Sequence, residues 1–115
     1  MAIQWIDISS ADDIERIISR SREVPCLIFK HSTRCNISAI ARYRLEDDWE
    51  STPEEIETYY LDLLRYRSVS DLLADTFQVY HESPQVLLIS NGTCIYDASH
   101  LDITVEELKE ILETV

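Results

Sequence analysis

The sequence predicts an α/β fold in three layers, α/β/α, with a central mixed sheet between helices on both faces. Three observations lead to it. Residues 24–29 form an apolar run with no polar alternation, as a strand buried on both faces requires. Short apolar runs alternate along the chain with stretches of helical spacing, giving the order βαβαβα before a hairpin and a last helix. Near the end, Asn91-Gly92 lies between two apolar runs, the strongest short-range sign of a hairpin, because a type I′ turn needs positive φ at both positions. A buried sheet with helices packed on both sides is the layer arrangement such an order favours.

Each element has its own signal. Residues 3–6 read as a short edge strand. Ser10 with Asp13 three positions later is a capping-box start for a helix whose apolar stripe is Ile14, Ile17 and Ile18. Arg22, Glu23 and Pro25 end that helix before the strand at 24–29. From Cys35 the period turns helical, with Ile37, Ile40, Ala41, Leu45 and Trp49 expected on one inward face. Residues 46–57 hold seven acidic side chains and Pro53, a solvated segment. Residues 58–64, rich in Tyr and Leu, read as another buried strand. Ser68 and Asp71 open a helix carrying Val69, Leu72, Leu73 and Phe77. The hairpin strands are 86–90 and 93–97, and Gly92, the sole glycine, sits in their turn. Thr104 with Glu107 caps a final helix expected to bury Val105, Leu108, Ile111, Leu112 and Val115. Parallel crossovers followed by a hairpin and a helix are the layout of the thioredoxin fold.

Composition narrows the function. At 115 residues the chain is expected to form one domain, 1–115, and its 45% hydrophobic content supports a packed core. A formal charge of -12 argues against nucleic acid and against an anionic membrane as partners. One glycine, where ordinary usage predicts about eight, excludes Gly-rich phosphate loops and dinucleotide fingerprints. The first residues lack the basic head and apolar core of a secretory signal, so a cytoplasmic location is expected. Cys26, Cys35 and Cys94 are odd in number and form no C-x-x-C pair, which points to free thiols and not to a disulfide scaffold.

Cys35 is the thiol with a chemical setting. It follows a buried strand and opens a helix, where unpaired amide N–H groups and the helix dipole favour an anion. Lys30, His31 and Arg34 are expected to add positive charge there. Thiolates, not thiols, attack disulfides, and cysteine pKa falls from ~8.5 to between ~3.5 and ~7.5 in such settings. Cys35-Asn36-Ile37-Ser38 places serine where a dithiol oxidoreductase carries its resolving cysteine. Ser38 can offer the Cys35 sulfur a hydrogen bond but no disulfide, so exchange should stop at a mixed disulfide and need an external thiol. Ser83-Pro84 enters a strand, where a residue without an N–H is tolerated. In thioredoxin folds this position is a cis-proline loop facing the active cysteine, and a cis bond would let the Ser83 backbone pair with a bound peptide.

The segment Lys30-His31-Ser32-Thr33-Arg34-Cys35-Asn36-Ile37-Ser38, with Glu82-Ser83-Pro84-Gln85, closely resembles the YtxJ-like, monothiol bacilliredoxin family. That resemblance implies a thioredoxin-like fold and the removal of bacillithiol from S-thiolated proteins, with Cys35 as the attacking residue. It implies no resident cofactor: bacillithiol or another small thiol would be a co-substrate, and S-thiolated client proteins would be the partners. Lys30, His31, Thr33, Arg34, Asn36, Ser38, Ser83 and Pro84 are expected to tune the Cys35 site or bind its substrate. Asn36 departs from the family's usual proline after the cysteine and leaves one more N–H near the sulfur.

Plainer readings stand beside these. Cys26 reads as a buried inert thiol, and Cys94 as structural or as an unusual resolving partner. His31 either tunes Cys35 or is a solvated loop histidine; its i,i+4 spacing to Cys35 lacks the further ligands that a metal site needs, so no metal is expected. His81 and His100 read as surface residues, and Trp5 and Trp49 as packing. Arg34 either steers an anionic thiol or is a solvated charge. A rival function uses the same groove without catalysis, as a thioredoxin-like adaptor.

Overall fold

A computed structural model of the chain describes residues 2–115. Five strands, β1 (Trp5–Asp7), β2 (Cys26–His31), β3 (Glu57–Asp62), β4 (Gln85–Ser90) and β5 (Thr93–Ser99), form one sheet in the order β1-β3-β2-β4-β5. β1, β3 and β2 run parallel, and β4 and β5 run antiparallel to their neighbours, so the sheet is mixed. The helices are α1 (Ala11–Arg20), α2 (Asn36–Asp48), α3 (Arg67–Phe77) and α4 (Val105–Leu112), with a 3-10 turn at His100–Asp102 after β5. No helix among the described residues is long and apolar enough to cross a membrane.

Alternation along β2 builds the two cores. Cys26 and Ile28 pack with Ile14 and Ile17 of α1 and with Val69, Leu73 and Phe77 of α3. Leu27 and Phe29 pack on the other face with Ala41 and Leu45 of α2 and with Val105 and Leu108 of α4. Phe29 has no exposed surface, a burial worth roughly 1.5–3 kcal/mol.

The local signals act as their chemistry dictates. The Asp13 carboxylate accepts the backbone N–H groups of Ser9 (2.8 Å) and Ser10 (3.2 Å), and Thr104 Oγ1 accepts the N–H of Glu107 (3.2 Å). Asn91 (φ 51°) and Gly92 (φ 77°) both take the left-handed region their turn demands. Their N–H groups bond to the carbonyl and hydroxyl of Ser21, tying the hairpin to the end of α1.

Several expectations need correction. β2 runs to His31, two residues beyond the expected 24–29 run, and β3 ends at Asp62, not at Leu64. α2 turns Ser38, Ala41 and Leu45 inward and leaves Ile37 and Ile40 42% and 49% exposed. That face lets Ser38 bond to His31 and Ser32 at the end of β2 while Ala41 and Leu45 pack in the core. Leu72 is also partly exposed, and Val115 lies past the end of α4 in solvent.

Register brings one end of the sheet into focus. Lys30 pairs with Gln85, and Gln85 pairs with Ser99. The link from β2 to α2, the segment entering β4, and the turn leaving β5 therefore gather at the same edge.

Candidate functional site

Cys35 lies at that edge as the N-cap residue of α2, with extended backbone (φ −110°, ψ 121°). Its N–H donates to the Ser32 carbonyl (3.2 Å), and its own carbonyl accepts the N–H of Ala39 (3.1 Å). An N-cap side chain is the group that normally meets the orphan N–H donors of the first turn. Here that group is sulfur; it accepts no hydrogen bond from the first turn of α2, and no acidic residue stands there to take those donors. The side chain is half-buried and unpaired with any other cysteine.

The other two thiols are held in the opposite state. Burial pushes Cys26 up to about 12, with the Glu57 carboxylate adding to the effect. Burial likewise pushes Cys94 up to about 11, and its S–H donates to the Tyr96 carbonyl (3.4 Å). Cys94 pairs across the sheet with Ile89, and Ile89 with Cys26, whereas the Cys35 edge lies at Lys30. Four residues of strand, roughly 13 Å, separate these rows, and a disulfide requires Cα atoms within ~7 Å. Cys94 is thus out of reach as a resolving partner.

The residues around Cys35 divide by face. Thr33, Arg34 and Asn36 are exposed beside it. His31 is buried, its ring tilted against those of Phe29 and Tyr60, with Nδ1 2.7 Å from Ser38 Oγ. Burial, then the nearby Arg42, lowers its pKa, so the ring is held neutral. Ser38 is fully buried, and its hydroxyl also accepts the Ser32 N–H (3.0 Å). The hydroxyl expected to serve the sulfur is instead turned to the end of β2.

Lys30 projects to the other face of the sheet. It has no exposed surface, and Nζ sits 2.8 Å from His81 Nδ1 and 3.2 Å from Gln85 Oε1. Burial lowers its pKa to about 8, opposed by Asp71 and Glu82. The positive charge expected at the cysteine from Lys30 and His31 is therefore not delivered there. Both residues belong to a buried strand, where desolvation disfavours charge and alternation sends the two side chains apart.

The Ser83-Pro84 bond is cis. Pro84 is buried, and its carbonyl accepts the N–H of His100 (2.9 Å), a residue at φ 55° whose ring reaches Glu82 (3.3 Å). Ser83 Oγ is buried without a hydrogen-bond partner among the described residues. His81 and His100 are exposed, as expected, but sequence reasoning passed over the contacts of His81 and Gln85 with Lys30 and of His100 with Glu82. The available signal was Lys30 itself, because a lysine inside an apolar strand requires buried acceptors elsewhere.

A half-buried cysteine at the N-cap of the helix after the central strand, at the same end of the sheet as a cis-proline, on a β1-β3-β2-β4-β5 mixed sheet, defines a thiol redox protein of the thioredoxin fold. Solved structures share that architecture. A proposed oxidoreductase with a thioredoxin fold is 33% identical, covering 94% of this chain and 92% of its own, with a TM-score of 0.78. Thioredoxin from Malassezia sympodialis (14% identity, 99% and 94% coverage, TM-score 0.73) and thioredoxin from Trypanosoma brucei brucei (11%, 98% and 95%, 0.75) match in fold. The sequence profile of the monothiol bacilliredoxin BrxC family matches residues 6–108, and the chain belongs to that family.

Proposed function

We propose that this protein is a monothiol thiol–disulfide oxidoreductase that removes a low-molecular-weight thiol, bacillithiol foremost, from S-thiolated proteins. The observation that carries this reading is Cys35 as the N-cap of α2, half-buried at the edge where Pro84 and the turn after β5 meet. The Cys35 thiolate attacks the small-thiol sulfur of the client disulfide. A bond forms between that sulfur and Cys35, the old S–S bond breaks, and the client leaves as a thiolate that takes up a proton. A second small-thiol thiolate then attacks the adduct, releasing the symmetrical small-thiol disulfide and restoring Cys35. Neither step needs a resident cofactor. Unpaired N–H groups of the first turn of α2 favour the anion in both directions. Arg34, exposed next to Cys35 in the chain, would meet an anionic small thiol, with exposed Thr33 and Asn36 beside it. Clients are S-thiolated proteins, and the work is that of a cytoplasmic protein.

Intact mass spectrometry after separate incubation with oxidised bacillithiol, glutathione and coenzyme A tests the reading. One adduct should form fastest with bacillithiol, be lost in Cys35→Ser, and pass from a bacillithiolated client to the protein. An unmodified wild-type chain with every disulfide would overturn it and leave the groove to an adaptor role.

A further inference from the structure

Lys30 stands out by where it is. It lies in the central strand, has no exposed surface, and its ammonium meets a histidine ring nitrogen and an amide oxygen with no carboxylate in ion-pair contact among the described residues. Burying an ammonium costs several kcal/mol, and an apolar side chain of the same length would fill the space without that cost. What the ammonium gains is a hold on one segment. Between α3 and β4 the chain has no regular structure from residue 79 to residue 84. Nζ grips it directly through the His81 ring, and indirectly through Gln85, whose Nε2 donates to the Tyr80 carbonyl (3.0 Å). The His81 ring also lies 3.4 Å from Ser70 Oγ of α3. Two residues on, the same segment delivers Ser83 and Pro84 to the Cys35 edge.

We propose that Lys30 is a positioning residue for exchange: through His81 and Gln85 it fixes segment 79–84 as the wall against which a disulfide-bearing client docks. This deepens the function proposed above and rests on it for the word client. The grip requires an accepting Nδ1, hence a neutral His81. His81 is faced by Lys30 from β2, by Asp71 and Arg67 from α3, and by Glu82 on its own segment. Protonation would set an imidazolium against the ammonium and release the segment, so the wall should loosen on acidification.

Amide hydrogen exchange, corrected for intrinsic rates, reads the wall without any substrate. In Lys30→Met, protection over residues 79–84 should fall about tenfold or more, while the hairpin amides tied to Ser21 hold theirs. In the wild type the same segment should lose protection between about pH 7 and pH 5, and His81→Asn, which keeps an acceptor that does not titrate, should not. His81→Leu should behave as Lys30→Met, and its exposed position keeps the test open if the lysine variant fails to fold. With a thiolated client, both variants should raise KM about tenfold with a smaller effect on kcat. Protection lost evenly over the whole chain, or retained in segment 79–84, overturns the proposal. A wild type that transfers no thiol while showing the predicted exchange pattern overturns the exchange function and leaves the anchoring intact.

Discussion

Ser38→Ala separates two roles for the serine of the C-x-x-S motif. In the structure its hydroxyl has two partners, the Ser32 N–H at 3.0 Å and His31 Nδ1 at 2.7 Å, and all three residues are buried. Alanine removes the hydroxyl and leaves a backbone donor and a ring nitrogen without partners where water has little access. Each hydrogen bond contributes about 1 kcal/mol net, and each orphaned buried group costs about 1–3 kcal/mol, so the variant should lose about 2–4 kcal/mol of stability. For a domain of this size that corresponds to a Tm lower by roughly 10 °C or more. Urea titration at pH 7.5, followed by tryptophan fluorescence and checked by calorimetry, measures it. If the hydroxyl instead served the Cys35 sulfur, stability would hardly move and the alkylation rate of Cys35 would change. A loss below about 0.5 kcal/mol with altered alkylation refutes the assignment of Ser38 to His31 and Ser32.

Three further outcomes are expected. Iodoacetamide at pH 7.5 should add one fast label, read by intact mass, that disappears in Cys35→Ser, because burial holds Cys26 near 12 and Cys94 near 11; a second fast label contradicts this. Burial lowers the folded-state pKa of both His31 and His81, so below about pH 6.5 the unfolded chain takes up protons first. Stability should accordingly be nearly level between about pH 6.5 and 7.5 and fall on acidification below that window, and a urea midpoint equal at pH 7.5 and 5.5 would count against it. In Gly92→Ala the added Cβ meets Ile18 Cγ2 at an unstrained 3.5 Å, so the cost is that of φ +77° alone, about 1–2 kcal/mol by urea titration. Gly92→Asn, which tolerates that region, should lose less.

What the sequence disclosed was local. Capping residues, helical spacing and the Asn91-Gly92 pair each act within a few positions, and the element order read from them is the one observed. The thioredoxin layout followed because parallel crossovers leave few alternatives. What it hid was set across the sheet. Ile37 and Ile40 fit an inward stripe as well as Ala41 and Leu45 do, and the bonds of Ser38 to His31 and Ser32, formed across the chain, go with the face that α2 turns inward. A lysine and a histidine after an apolar run read as the end of a strand, since burying them is costly. The acceptor that makes Lys30 tolerable, His81, lies 51 positions away. The proline at 84 was visible and its isomer was not, because the same dipeptide adopts both.

Cys26 and Cys94 lie at the far end of the sheet from Cys35, with burial holding both protonated. A loaded Cys35 therefore has no internal route to relief, and every cycle of the proposed reaction waits on a collision with a molecule from outside. Turnover would then follow the supply of reduced small thiol, slowing when that reservoir is drained. The spacing of three sulfurs on one sheet would make the protein's working speed a gauge of its surroundings.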